Sequence, residues 1–188
     1  MRVIVGLGNV GPAYEDTRHN VGFLAVRKLG QRAEGQWRQA EDHLWSYRLY
    51  QAGDCMLILP QTMMNLSGLA VRAAAQRWHV QPEELLAVCD DVNLPIGKIR
   101  MRPQGGAGGH HGLASCLEAL DTTEMPRLRI GVGREPLPRD LAEFVLAPFS
   151  RDEREILERA LTQAVEACEL WLTKGIQAAM TWVNVEPT

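Results

Sequence analysis

Two side chains that together can activate water stand at the ends of predicted strands. His19 follows the first apolar strand, and Asp90 follows the apolar run at residues 85–89. A carboxylate near the protein interior is costly without a partner, and a histidine is a natural one. If one ring nitrogen of His19 donates to Asp90, the other ring nitrogen can take a proton from water. Because no G-x-S-x-G motif is present, the pair predicts direct attack by water on an acyl group.

A glycine-rich segment at residues 105–112 offers a second chemical feature. Its glycines are interrupted only by Ala107, His110 and His111. Glycine permits backbone angles that bring N–H groups close to a developing oxyanion or a phosphate. The alternative is a flexible connection, and the segment alone does not decide between the two.

The first 23 residues contain a glycine pattern of their own. Gly6, Gly8 and Gly11 fit G-x-G-x-x-G, which is typical of dinucleotide-binding folds. Pro12 argues against that fold, because it lacks an N–H and pushes Gly11 towards extended angles where the helix would run. The helix is instead predicted to begin at Asn20, a capping residue. Residues 8–19 then form a polar loop at a strand end, which is either a ligand site or a solvated connection.

Apolar runs alternate with amphipathic stretches along the chain, which predicts an α/β fold. We expect a single domain over residues 1–188, with a mixed, mostly parallel twisted sheet flanked by helices. Strands are predicted at residues 3–5, 85–89, 98–102 and 128–132, and a hairpin at 44–50 and 55–59 with its turn at 51–54. Helices are predicted at about 20–33, after 61–68, through Leu113 and Leu117, and after the Ser150/Glu153 capping box.

Length and composition exclude several protein classes. A chain of 188 residues suits one core, and 46% hydrophobic with 23% charged residues is ordinary globular usage. No apolar run approaches the ~20 residues of a membrane span, and no secretory leader is recognisable, so we expect a cytoplasmic protein. The four cysteines lack metal-ligand spacing, so we expect reduced core residues and no metal: Cys55, Cys89, Cys116 and Cys168.

Charge is unevenly distributed along the chain. The formal net charge is −3, yet residues 97–134 carry an excess of three positive charges and residues 135–188 an excess of five negative ones. This asymmetry permits a phosphate-binding face in the first segment. The alternative, that these are ordinary solvated charges, remains open.

A series of short motifs, in order along almost the whole chain, resembles the bacterial peptidyl-tRNA hydrolase family. They are IVGLGN at 4–9 with Tyr14, TRHNVG at 17–22, TMMNLSG at 62–68, DD at 90–91, LP at 94–95, GGH at 108–110 and RLRIG at 127–131. The resemblance implies an esterase that cleaves peptide from the 3′ ribose of tRNA. It also implies one α/β domain, generally monomeric, without metal or organic cofactor.

The resemblance also implies roles for individual residues. His19 is similar to the catalytic base, Asp90 to the carboxylate that keeps it basic, and Asn9 to the residue that recognises the peptide. Arg102 and Arg129 match positions that contact tRNA phosphates, in agreement with the local positive charge. The full set of expected substrate- and tRNA-binding residues is Tyr14, Met63, Met64, Asn65, His110, His111, Arg102 and Arg129.

This chain departs from the family pattern at several positions. Val10, Met63 and Ala107 replace a proline, an aromatic residue and a histidine. The larger change is His111 in place of an asparagine, because imidazole is wider than an amide and can become charged. One alternative is therefore an RNA-binding relative with impaired catalysis, although the retained Asn9, His19, Asn65 and Asp90 favour the enzyme. A dinucleotide-dependent enzyme is the third hypothesis.

Overall fold

The computed structural model describes residues 1–33, 35–50 and 55–184. Its strands are β1 (Arg2–Gly6), β2 (Arg38–Gln39), β3 (Trp45–Tyr50), β4 (Cys55–Pro60), β5 (Leu85–Pro95), β6 (Ile99–Arg102) and β7 (Arg127–Gly133). Its helices are α1 (Val21–Gly30), α2 (Ser67–Trp78), α3 (His111–Leu120), α4 (Leu141–Leu146) and α5 (Arg151–Val183). The backbone of α5 leaves helical geometry at Gly175, with φ 83°, so that two helical segments meet there.

All seven strands form one sheet in the order β2-β3-β4-β1-β5-β7-β6. The four central strands, β4, β1, β5 and β7, run parallel. The pairs β2–β3, β3–β4 and β6–β7 are antiparallel. The predicted α/β class with a mixed sheet, parallel at its centre, is confirmed.

Helices cover both faces of the sheet, and alternate strand residues supply the two cores. Ile4 and Leu57 point to the face covered by α1 and α5. Val5 and Ile58 point to the opposite face, which α2 and α3 cover. Burial on both faces explains why the central strands are continuous apolar runs.

Most predicted elements are present, with a few differences. The strands of the hairpin pair as predicted, whereas its predicted turn at 51–54 lies outside the described residues. The capping box of α5 is present, with the side chain of Ser150 accepting from the N–H of Glu153. Asp140 caps the short helix α4 in the same way, and no sequence pattern had been used to predict that helix.

Two further expectations concern cysteines and membranes. All four cysteines are unpaired and buried, and burial raises the pKa of the Cys55 and Cys116 thiols to about 12. Within residues 1–33, 35–50 and 55–184, we find no helix with the length and apolar character needed to span a membrane.

Candidate active site

His19 and Asp90 meet because α1 begins directly against the sheet. Arg18–Asn20 form one 3₁₀ turn before α1. A Cβ on Gly22 would lie 2.2 Å from the carbonyl oxygen of Val88 in β5, so only glycine permits this approach. As a result, Nδ1 of His19 lies 2.8 Å from Oδ1 of Asp90, and both side chains are buried.

A second histidine, His110, contacts the same carboxylate oxygen. The N–H of Leu113 donates to Nδ1 of His110 over 3.0 Å, so we assign the ring proton to Nε2. Nε2 then donates to Oδ1 of Asp90 over 2.9 Å. Since the carboxylate only accepts, Nδ1 of His19 must also carry a proton, which leaves its Nε2 as the basic nitrogen.

Asp90 remains ionised in this environment. Burial alone raises its pKa, but electrostatic interactions and hydrogen bonds with His110 and His19 outweigh burial and hold the pKa well below its usual range. A permanent carboxylate stabilises an imidazolium beside it, as a general base requires after it has taken a proton.

The same three side chains have the composition of a metal site. Their ligand atoms lie within 4.8 Å of one another. Two ligands of a tetrahedral zinc ion lie roughly 3.3 Å apart, given metal–ligand distances of about 2.0–2.1 Å. The separations of 2.8 and 2.9 Å are those of direct hydrogen bonds. The expectation of no metal stays a prediction.

Asn9 is held in place by two other residues. Its backbone N–H donates to Oδ1 of Asn20 over 2.8 Å, and its carbonyl accepts from Nδ2 of Asn20 over 2.9 Å. Its side-chain Oδ1 accepts the N–H of Met64 over 2.8 Å. The Nδ2 amide of Asn9 is therefore the group left to donate to a ligand. The side chain of Asn20 makes no helix cap, so the predicted start of α1 is nearly correct but the capping role is wrong.

A cavity of about 520 Å³ opens onto these groups. Leu141, Ala142, Val145 and Leu146 of α4 form an apolar wall, and Leu141 and Leu146 are more than 40% exposed. The cavity brings together most of the expected site residues: Asn9, His19, Met64, Asn65, Asp90, His110, His111 and Arg129. Three expected residues do not line it: Tyr14, Met63 and Arg102.

Exposure differs among these residues. Met64 is buried, and His110 has both ring nitrogens bonded within the protein. His111 and Asn65 are exposed on the cavity. Leu66, next to Asn65, is itself 47% exposed.

Two arginines of β7 order the glycine-rich segment. Arg127 donates to the carbonyls of Met125 and Gly106, and Arg129 donates to Gly106 and to Asp91 over 3.0 Å. Gly108 has φ 62°, and a Cβ there would lie 2.8 Å from Nη1 of Arg129. Glycine suits this left-handed conformation, and a side chain at 108 would displace the guanidinium of Arg129. The hydrogen bonds from the two arginines hold the glycine-rich segment in one conformation.

Arg18 ties the 3₁₀ turn of His19 to the α4–α5 junction. Its guanidinium bonds both carboxylate oxygens of Glu153, at 2.9 and 2.7 Å, and the carbonyl of Ala147. The Phe144 ring lies 4.5 Å from its Cζ. This contact joins the catalytic turn to the apolar wall of the cavity.

Some of these supporting residues were not identified from the sequence. Asp140 and Glu143 match the spacing of a capping box, which could have revealed α4. The bracing role of Asn20 and the pairing of Arg129 with Asp91 depend on strand register and loop path, for which no local pattern exists. Chemically, the site presents an oriented imidazole, an amide donor and an apolar wall around one cavity, which suits hydrolysis of an acyl bond.

Comparisons with known proteins agree with this geometry. A family model described as peptidyl-tRNA hydrolase matches residues 3–188. The peptidyl-tRNA hydrolase of Gloeobacter violaceus is 45% identical over 98% of this chain and 94% of the relative. That of Pseudothermotoga lettingae is 42% identical over 98% and 97%. A crystal structure of peptidyl-tRNA hydrolase from Acinetobacter baumannii, 30% identical, has a TM-score of 0.91 over 98% of this chain and 95% of that one. This chain therefore belongs to the peptidyl-tRNA hydrolase family.

Proposed function

We propose that this chain hydrolyses the ester between a peptide, or an N-blocked amino acid, and the 3′ ribose of tRNA. The observation that carries the proposal is the orientation of His19. Its Nδ1 is fixed by Asp90 at 2.8 Å, and its ring lines the cavity with Nε2 left to bind water. Membership of the family supplies the substrate class.

In this reaction water is the nucleophile. Nε2 of His19 takes a proton from water as the water oxygen attacks the ester carbonyl carbon. The tetrahedral intermediate collapses when the bond to the ribose oxygen breaks, and His19 returns the proton to that oxygen. The products are a peptide carboxylic acid, which ionises, and tRNA with a free ribose hydroxyl. Asp90 orients His19 throughout and stabilises its charged form.

Asn9 is the proposed contact for the peptide. Because Met64 occupies its Oδ1, Asn9 presents an N–H donor, which suits the carbonyl of the first peptide bond or N-blocking group. A free aminoacyl ester has an ammonium group there instead, which is a donor and repels an N–H donor. This difference supports discrimination between peptidyl and aminoacyl esters.

The tRNA is proposed to lie along the basic part of the chain. Arg102 is exposed at the end of the edge strand β6, and Arg129 lines the cavity. Tyr14, Met63, Asn65 and His111 are proposed to contact the 3′ end. Contacts of the two arginines with phosphates are independent of base sequence, as a substrate common to many tRNAs requires. The apolar wall of α4 would pack against peptide side chains.

The remaining expectations are part of the same proposal. Residues 1–188 form one hydrolase-like domain that acts as a monomer in the cytoplasm and needs no metal or organic cofactor. Equilibrium sedimentation tests the monomeric state, and activity after dialysis against a chelator tests whether a metal is needed.

The deciding experiment is hydrolysis of N-acetyl-aminoacyl-tRNA by the purified protein, beside the unblocked ester. We expect cleavage of the blocked ester and a loss of about 100-fold or more in His19→Ala. His79→Asn is the matched control, because His79 is an exposed left-handed residue at the end of α2 and Asn tolerates that conformation. An inactive wild type that still binds tRNA would instead support the RNA-binding alternative.

A further inference from the structure

A second cavity, of about 530 Å³, lies against the helix α1 side of the sheet. Arg27 and Gln31 of α1 line one side, and Ser46 and Arg48 of β3 line another. Trp37, which precedes β2, also lines it. This cavity shares no lining residue with the one that contains His19, and the proposed hydrolysis does not use it.

The cations in helix α1 and in the turn after it contact two different places. Lys28 and Arg32 form ion pairs with Glu158 and Glu169 of α5, at 2.6 and 2.7 Å. Arg27 lines the cavity instead. Among residues 1–33, 35–50 and 55–184, no carboxylate forms an ion pair with Arg27 or Arg48. The cavity therefore contains two positive charges that described residues do not neutralise.

Arg48 also has hydrogen-bonding capacity to spare. One terminal nitrogen donates to the carbonyl of Ala33, but its Nε is buried and has no acceptor among the described residues. A buried donor without an acceptor costs free energy. A phosphate has several oxygens and matches the planar donors of arginine, so one phosphate can engage both guanidinium groups.

Trp37 gives the cavity an aromatic side. A Cβ on Gly30 would lie 3.0 Å from Cζ2 of Trp37, so the indole packs directly on α1 where no side chain intervenes. Aromatic rings held next to arginine residues stack with nucleobases. The amides of Gln31 and Gln61 and the hydroxyl of Ser46 can donate to and accept from base edges.

We propose that this second cavity binds a nucleoside phosphate, with its phosphate on Arg27 and Arg48 and its base against Trp37. The volume lies within the range of pockets that hold small ligands. A free mononucleotide and a nucleotide within an RNA strand present the same chemistry. The site is independent of the proposed hydrolysis.

The test follows the indole N–H resonance of Trp37 in the full-length ¹⁵N-labelled protein, assigned by its loss in Trp37→Phe. AMP is titrated beside adenosine and inorganic phosphate. We expect a saturable shift with AMP and a weaker one with either part alone. Arg27→Gln and Arg48→Gln should each weaken AMP binding about tenfold, as loss of a charge-assisted bond does. Arg32→Gln removes the same charge from the turn that follows α1, outside the cavity, and should leave the affinity unchanged.

Each outcome of the titration is decisive. No saturable shift at millimolar AMP, or equal weakening by Arg27→Gln and Arg32→Gln, overturns the site. Arg27 is exposed, so its replacement does not threaten folding. The comparison of Arg27→Gln with Arg32→Gln therefore tests the site even if the Arg48→Gln protein unfolds. With AMP binding established, competition by an acceptor-arm RNA hairpin identifies an RNA nucleotide as the ligand. Lack of competition identifies a free nucleotide. No ester is cleaved, so loss of the proposed hydrolase activity leaves this test unaffected.

Discussion

His110 connects helix α3 to Asp90. Its Nδ1 accepts the N–H of Leu113 in the first turn of α3, and its Nε2 donates to Oδ1 of Asp90 over 2.9 Å. The same oxygen accepts from His19 over 2.8 Å. We infer that His110 positions the carboxylate, which in turn positions His19, and that the roles of the two histidines are distinct.

Replacing His110 by Asn keeps one of its two hydrogen bonds and removes the other. Asn can still cap α3 but is too short to reach Asp90, whereas Ala removes both contacts. We expect kcat to fall about tenfold in both variants with KM little changed, and stability to fall by about 1 kcal/mol in His110→Asn and about 2 kcal/mol in His110→Ala. Steady-state kinetics and urea denaturation measure these effects. An unchanged kcat in His110→Asn would leave His110 with a structural role only.

Asp90→Asn tests the charge of the carboxylate. An amide fills the same space but cannot stabilise the imidazolium of His19, and it can leave His19 in the wrong tautomer. We expect a loss of about 100-fold or more in the rate of ester cleavage, with tRNA affinity nearly unchanged. Single-turnover kinetics and filter binding separate the two quantities. A wild-type rate would remove the His19–Asp90 pair from the mechanism.

Asn9→Asp tests the proposed peptide contact. An Asp oxygen can still accept the N–H of Met64, so the local backbone is preserved, but the N–H donor is lost and a negative charge appears. We expect kcat/KM for the blocked ester to fall at least about tenfold, as loss of a hydrogen bond to substrate does. Relative activity on the unblocked ester should rise, because its ammonium group is attracted to the carboxylate. Unchanged discrimination between the two esters would exclude Asn9 from peptide recognition.

Arg102→Ala tests the path of the tRNA backbone. Arg102 is exposed on β6, and no described residue pairs with it. We expect weaker tRNA binding at every tRNA sequence, and a plot of log affinity against log salt that is shallower by roughly 0.7–0.9. Lys28→Ala is a control for lost charge, because Lys28 lies on α1 beside Glu158. If the slope is unaltered in Arg102→Ala, Arg102 does not contact a phosphate.

Local sequence patterns were sufficient to predict most of the fold. The β-branched run at Val3 and Ile4 and the apolar run ending at Asp90 identify two central strands, because strands buried on both faces need no polar alternation. The Ser150/Glu153 spacing identifies the start of α5 for an equally local reason. Helix α4 was not predicted, although Asp140 carried its capping signal.

The site was less predictable because its contacts are long-range. A carboxylate at the end of a buried strand needs a partner, which is why His19 could be proposed for Asp90. Nothing local indicates that Asn20 braces Asn9 or that Arg129 pairs with Asp91, since both depend on how separate loops and strands align. The two internal hydrogen bonds of His110 are likewise not visible in sequence, and its role in substrate binding stays a prediction.

The Arg18–Glu153 ion pair predicts a specific pH dependence of stability. Burial raises the pKa of Glu153, but its hydrogen bonds with Ser150 and Arg18 outweigh burial and lower the pKa. A group with a lowered pKa in the folded state stabilises the protein above its unfolded pKa, about 4.3 for Glu, and this contribution is lost as pH falls through the folded value. Glu153→Gln should therefore cost about 2 kcal/mol at pH 7. The difference from wild type should shrink as the solution is acidified below about pH 4.

Glu155→Gln is the matched control for this pair. Glu155 lies in the same helix and pairs with Arg159, but both side chains are largely exposed, at 81% and 65%. Exposed pairs of this spacing contribute less than about 0.5 kcal/mol. This variant should therefore unfold in urea nearly as wild type does, both at pH 7 and below about pH 4. Equal losses of stability in the two variants would show that removal of any carboxylate from α5 destabilises the protein, whether or not it pairs with Arg18. A loss in Glu153→Gln alone, accompanied by a lower kcat, would show that the turn carrying His19 is held in place by Arg18.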